Sequence, residues 1–179
     1  MTRFPFKIIL FLTIYCCSCE PSEKTDKNQQ YHNKKFNRDS LKNQFIKANK
    51  QIIQKESDEM DYYAKAHQMA FINTKAGIRY FVYKASATGD SIKDGTVISV
   101  NYKVTLLDGT ECYSSKKEEK KTIRVGHEDI ESGIHKALLY LKRGDKALIL
   151  IPSHLAHGLL GDFKKIPPQM PIIYDIEIY

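Results

Sequence analysis

Apolar and polar positions alternate along most of the C-terminal half of the chain. In the last segment Ile172, Tyr174, Ile176 and Ile178 recur at period two, which places them on one face of a strand. The same period runs through Ile78, Tyr80 and Val82, through Thr96 to Leu107, through Thr110 to Ser115, through Thr122 to Val125, and through Lys146 to Ile151. Turn residues separate these runs. Asp94-Gly95 marks a turn, Asp108-Gly109 is a strong hairpin signal, Gly126 breaks a strand, and Pro167-Pro168 precedes the last one. One stretch departs from period two: Ile134, Ala137, Leu138 and Leu141 share a helical face, and Gly144 ends that helix. The pattern predicts an α+β domain, an antiparallel sheet with one short helix lying across it.

Upstream the period is helical. Ser40 is a candidate cap for a helix with Leu41, Phe45, Ala48 and Ile52 on one face, and Ser57 for a second helix with Met60, Tyr63, Ala64, His67 and Phe71 on one face. The helical segment is expected over residues 40–76, closed by Asn73 to Gly77. His67 reads as a packed histidine rather than a ligand. Helices with one apolar face can pack on the domain, dock a partner, or form a homodimer through residues 40–72.

The N-terminus follows a different rule. Arg3 and Lys7 flank a short apolar run from Ile8 to Tyr15. That run is about half of the roughly 20 residues a membrane span requires. A charged start with a short apolar centre reads as a secretory signal peptide, here residues 1–18. Bacterial lipoproteins are cut just before a cysteine that then carries lipid. Cys19 behind the small Ser18 is the candidate for lipidation, although the position three before it is Cys16 rather than the usual Leu. Plain secretion and an uncleaved anchor are the alternatives. Residues 19–39 are polar and charged with almost no aliphatics, the composition of a disordered tether. If Cys16 and Cys17 leave with the signal and Cys19 carries lipid, Cys112 is the one remaining thiol and no internal disulfide forms.

Composition changes this picture little. The 179 residues include 11 Tyr and 8 Phe but no Trp, enough aromatic surface for a real core. The net charge of +7 and pI near 9.1 raise nucleic acid as a partner. The lysines, however, are scattered. The pairs Lys116-Lys117 and Lys120-Lys121 are interrupted by Glu118-Glu119, as in a solvated loop, so nucleic acid is not expected. His154 and His157 are spaced like some metal pairs but have no acidic or thiol partner nearby in sequence. No metal and no cofactor are expected.

An ordered set of motifs spans Gly77 to Tyr179. These are Gly77-Ile-x-Tyr80, Val100-x-Tyr102, Leu107-Asp-Gly109, Ser114-Ser115, Val125-Gly126, Gly133, Ala137-Leu138, Gly144-Asp-Lys146, Ile151-Pro152, Ala156-x-Gly158 and Ile166-Pro-Pro168. In this order and spacing the stretch 77–179 resembles FKBP-type peptidyl-prolyl cis-trans isomerases. The resemblance implies a twisted sheet of five or six antiparallel strands wrapped on one short helix, with an apolar pocket between them. It also implies rotation about Xaa-Pro bonds, with proline-containing segments of other proteins as partners.

Carried over by position, the resemblance gives catalytic roles to Tyr102, to the backbone N–H of Glu131, and to His157, which replaces a loop tyrosine that donates to a substrate carbonyl. Cys112, Tyr113, Ile130, Ile134, Ile166 and Tyr174 would form the substrate-binding walls. Four of these positions depart from the family pattern: Cys112 for a phenylalanine, Tyr113 for an aspartate, Ile134 for a tryptophan, and His157 for the tyrosine. The departures favour a catalytically weak or inactive binding module as the alternative to an isomerase. Signal, tether, helical segment and C-terminal domain together look like the gliding-motility-associated FKBP-type lipoproteins of Bacteroidetes. That narrower resemblance implies a lipid-anchored folding factor for exported proteins in the cell envelope, at the periplasmic face or outer membrane.

Overall fold

The computed structural model describes residues 37–115 and 119–179. The signal peptide, Cys19 and nearly all of the tether fall outside the described residues. The elements run in the order α1 (Arg38–Ala66), β1 (Ile72–Asn73), β2 (Arg79–Lys84), β3 (Val97–Leu106), β4 (Glu111–Ser114), β5 (Lys121–Arg124), α2 (Ser132–Leu138), β6 (Lys146–Ile151) and β7 (Ile172–Ile178). A short 3-10 turn at Ser153–Leu155 follows β6.

The described strands form one antiparallel sheet in the order β1-β2-β6-β7-β3-β4, with β5 also paired to β3. β4 pairs with Lys103 to Thr105 and β5 with Val97 to Val100, so the two short strands share one long edge of β3. This shared edge and the two-residue β1 raise the count to seven, against the five or six expected. β7 lies between β3 and β6, with Tyr174 opposite Val104 on one side and Ile149 on the other.

The expected face of β7 is the inner one. Ile172, Tyr174, Ile176 and Ile178 join Ala147, Ile149 and Ile151 of β6 and Ile134, Ala137 and Leu138 of α2 in the main core. Gly133 lets α2 approach the end of β6: a Cβ there would lie 2.2 Å from Ile151 Cγ2 and 2.9 Å from the Leu155 carbonyl oxygen.

The upstream segment differs from the expected pair of helices. It is one 29-residue helix, capped by Asn37, whose side chain accepts from the N–H groups of Asp39 and Ser40. Ser57 lies in mid-helix. Gln54, Lys55 and Glu56 before it and Glu59, Met60 and Ala64 after it are good helix formers and no Gly or Pro intervenes, so the helix has no reason to stop. The Ser57 hydroxyl instead accepts from Arg79 Nη2 at 2.8 Å. The helix ends five residues before Phe71, at a cap where Gln68 takes φ +54°. His67 is not packed in the core. It is exposed at the C-cap and stacks on Tyr63 with centroids 4.0 Å apart.

α1 covers the outer face of the sheet through a small second core of Met60, Leu150 and Ile173, with Tyr63, Phe71, Leu107 and Leu148 packed around it. Two buried polar anchors flank it. Both oxygens of Glu56, 3 % exposed, accept from Ser153, one from its N–H at 2.8 Å and one from its hydroxyl at 2.5 Å. Buried Arg79 donates to Asp61 at 2.9 Å and to the Ser57 backbone carbonyl at 3.0 Å.

Candidate functional site

A cavity of about 530 Å³ opens between β3, β7, α2 and the loop after β6. Its floor and walls are apolar: Val100, Val104 and Tyr102 from β3, Ile123 from β5, Ile134 from α2, and Tyr174 and Ile176 from β7. The β3 and β7 residues among these sit at even positions because period two puts them all on the inner face. The Tyr102 and Tyr174 rings meet at a tilt of 43°, centroids 5.8 Å apart. The remaining lining brings polar groups to the apolar floor: Tyr113, Lys121, Asp129, Glu131, Ser132 and His157, with Ile130 and Ala156 between them.

Seven of the residues expected from sequence therefore line one cavity: Tyr102, Tyr113, Ile130, Glu131, Ile134, His157 and Tyr174. Cys112 and Ile166 do not. Both are almost fully buried in the packing behind the wall, and the Cys112 thiol donates to the Lys165 carbonyl at 3.6 Å. Burial, followed by the nearby Asp162 charge, pushes that thiol's pKa up, so it stays protonated. Cys112 fills space rather than forming a pocket wall, because its neighbour Tyr113 takes the wall position.

Glu131 is the centre of the polar groups. It precedes α2 in extended conformation, φ −56° and ψ 131°. Its Oε2 accepts from the Tyr174 hydroxyl at 2.8 Å, and its Oε1 lies 2.9 Å from His157 Nε2. That nitrogen is buried and makes no hydrogen bond, although it lies within ion-pair distance of the Glu131 carboxylate. Burial, and then the Glu131 charge, push the Tyr174 hydroxyl far above the ordinary tyrosine range, so it remains a donor.

Asp162, on the loop after β6, was not singled out as a site residue from sequence. The Tyr113 hydroxyl donates to its Oδ2. Its Oδ1 accepts from the N–H groups of Lys164, Lys165 and Ile166 at 2.8–2.9 Å. Burial raises its pKa, but the Tyr113 hydroxyl and the three N–H groups together outweigh it and hold the carboxyl well below its usual 3.8. An aspartate just after glycine, at the start of a turn, is the signal that points to such a loop anchor. Nothing in the sequence pairs it with Tyr113, 49 residues away.

Glu56 and Ser153 were also missed. Ser153 is the hub of the loop that carries His157: its carbonyl accepts from the N–H groups of Ala156 and Gly158 at 2.9 and 2.7 Å. The helix carboxylate thus holds the base of the pocket loop.

Residues 89–179 match the family profile described as FKBP-type peptidyl-prolyl cis-trans isomerase. The chain is 34 % identical over 105 residues to the FKBP-type isomerase FkpA of Buchnera aphidicola from Acyrthosiphon pisum, covering 59 % of this chain and 42 % of that one. It is 31 % identical over 134 residues to FkpA of Escherichia coli K12, covering 74 % of this chain and 48 % of that one. It thus spans under half the length of these relatives. The crystal structure of FkpA from Escherichia coli superposes with a TM-score of 0.60 at 30 % identity, over 74 % of this chain and 62 % of that chain.

Proposed function

This chain belongs to the FKBP-type peptidyl-prolyl cis-trans isomerase family, and we propose that it catalyses rotation about Xaa-Pro bonds in exported proteins. The observation that carries the proposal is the single cavity in which Tyr102, Ile130, Ile134 and Tyr174 face the Glu131 backbone and His157. The barrier to rotation is about 18–20 kcal/mol and comes from amide resonance. A site lowers it by binding the twisted amide better than the planar one. No nucleophile or leaving-group acid is required. The apolar walls seat the proline ring and exclude water. The Glu131 N–H and the His157 imidazole offer donors to the carbonyls on either side.

The same geometry supports a second reading, a proline-binding module with little turnover. Its support is Glu131, whose carboxylate lies against both the Tyr174 hydroxyl and His157. Exchange spectroscopy on a proline peptide separates the two. The full chain accelerates cis-trans exchange over an uncatalysed process that takes tens to hundreds of seconds. Tyr102→Ala, which opens one wall, loses most of that acceleration. No acceleration by the full chain leaves only the binding module.

We infer further that the chain is a lipoprotein of the cell envelope, at the periplasmic face or outer membrane, tied to motility or secretion components. The support is the charged, short apolar start followed by Ser18-Cys19. Incorporation of labelled palmitate, abolished in Cys19→Ala, tests the anchor. A homodimer through residues 40–72 is supported by Phe45, Ile46, Ile53 and Tyr62, all exposed along α1, and by an apolar groove of about 840 Å³ beside Tyr63 and Leu107. Sedimentation that finds only monomer excludes it.

A further inference from the structure

We propose that the Glu131 side chain sets substrate choice, selecting prolyl segments that carry a lysine or arginine immediately beside the proline. The proposal rests on the reading of this cavity as a prolyl site, and it concerns the carboxylate, not the backbone N–H.

The carboxylate is only 14 % exposed, and both its oxygens are turned into the cavity, one to the Tyr174 hydroxyl and one toward His157 Nε2. It therefore stands in front of two groups that could otherwise face the carbonyls of a bound peptide. A carboxylate so far out of water is costly unless a charge or several hydrogen bonds compensate it. Here its partners are one hydroxyl and one imidazole nitrogen that lies within ion-pair distance but makes no hydrogen bond. Among the described residues the one permanent cation of the lining is Lys121, and it pairs with neither Glu131 nor Asp129 within ion-pair distance. Asp129, two residues before Glu131, adds a second carboxylate to the same lining.

A peptide with a cationic side chain beside its proline brings the missing partner. The ammonium or guanidinium draws the Glu131 carboxylate toward itself, and the His157 nitrogen and Tyr174 hydroxyl become free to face carbonyls. A neutral peptide has to break the same contacts with nothing in return, and an acidic one meets two carboxylates. The net charge of +7 on the chain opposes a basic peptide at long range. A preference for one must therefore arise at these short contacts.

The test uses the full chain and short peptides that differ only beside the proline: Lys before it, Lys after it, Leu, and Glu. Affinity is read by calorimetric titration and turnover by exchange spectroscopy. The better of the two Lys peptides should bind about fivefold tighter than Leu, the yield of a partly screened ion pair. Glu should bind weaker than Leu. In Glu131→Gln the spread should fall to within about twofold, because the carboxylate's charge supplied it. In Glu131→Ala the Leu peptide should bind better than to the wild type, because its donors are uncovered. Equal affinity of the wild type for all four peptides, or a Lys preference retained in Glu131→Gln, overturns the proposal. Acceleration of any peptide in that case leaves the isomerase reading standing. Selective binding without acceleration supports the carboxylate's role and sinks turnover instead, and no binding of any peptide overturns both.

Discussion

On the inner face of the sheet, the seven-residue α2 buries Ile134, Ala137 and Leu138 against Ala147, Ile149, Ile151 and Ile176. On the outer face, the 29-residue α1 buries only Glu56 and Met60 and meets Leu150 and Ile173. The short helix is held by apolar area. The long one is held by a small apolar contact between two polar anchors, Glu56 on Ser153 and Arg79 on Asp61 and Ser57. Apolar burial is non-directional, so the inner face closes the core without specifying a point of attachment. Buried hydrogen bonds are directional and costly to leave unmade, so the outer face fixes where α1 sits. One of those points is the first residue after the β6-Pro152 junction, at the base of the loop that carries His157.

Two truncations break the comparison in different ways. Leu138→Ala removes a fully buried side chain from the inner face and should cost about 3 kcal/mol in denaturant unfolding, the usual range for a core leucine. Glu56→Ala should cost less, about 2 kcal/mol, from the unsatisfied Ser153 N–H and hydroxyl. It should also speed hydrogen exchange at the Ser153 amide, which Leu138→Ala should not do in advance of global unfolding. Glu56→Gln keeps one acceptor and should recover part of the loss. A Glu56→Ala cost within about 0.5 kcal/mol, as for an open surface position, would mean that α1 is not anchored there.

The inner face was legible in the sequence because period two and the α2 spacing report burial directly. β6 was read to the residue, and the inner residues of β7 were read correctly. The outer face was not legible. Ile173 and Leu150 lie on it among Asp175, Glu177 and Lys146, so it reads as a solvated side. Met60 and Tyr63 of α1, more than 80 residues earlier, with Phe71 and Leu107 beside them, explain their burial. Ser57 read as a cap because serine favours caps, yet a tertiary contact with Arg79 absorbed its hydroxyl. The pocket divided along the same line. Its apolar walls followed from strand period and family resemblance. The contacts of Glu131 with Tyr174 and His157 join residues 43 and 26 positions apart and have no local signature.

The smallest expected effect concerns a polar pair that ties the pocket wall to the loop after β6. Tyr113 on β4 donates to Asp162, and that bond helps hold the Asp162 pKa below its ordinary value of 3.8. A carboxyl whose pKa is lowered by folding binds fewer protons folded than unfolded. Its contribution to stability is therefore present above the ordinary value and is lost as pH falls through the folded one. Tyr113→Phe removes the hydroxyl and keeps the ring, so it should be less stable than the wild type at neutral pH. The two should converge only as the pH falls through the folded Asp162 pKa, well below the ordinary value of 3.8. Both side chains are partly in solvent, so the difference is small and best read from paired unfolding curves at pH 7 and in strong acid, below the folded Asp162 pKa. A gap that stays constant between those pH values would place the effect in packing of the ring edge. A gap that closes in acid assigns it to the Asp162 charge, and it makes the loop after β6 the acid-sensitive end of the pocket while the Glu56 anchor on Ser153 holds its other end.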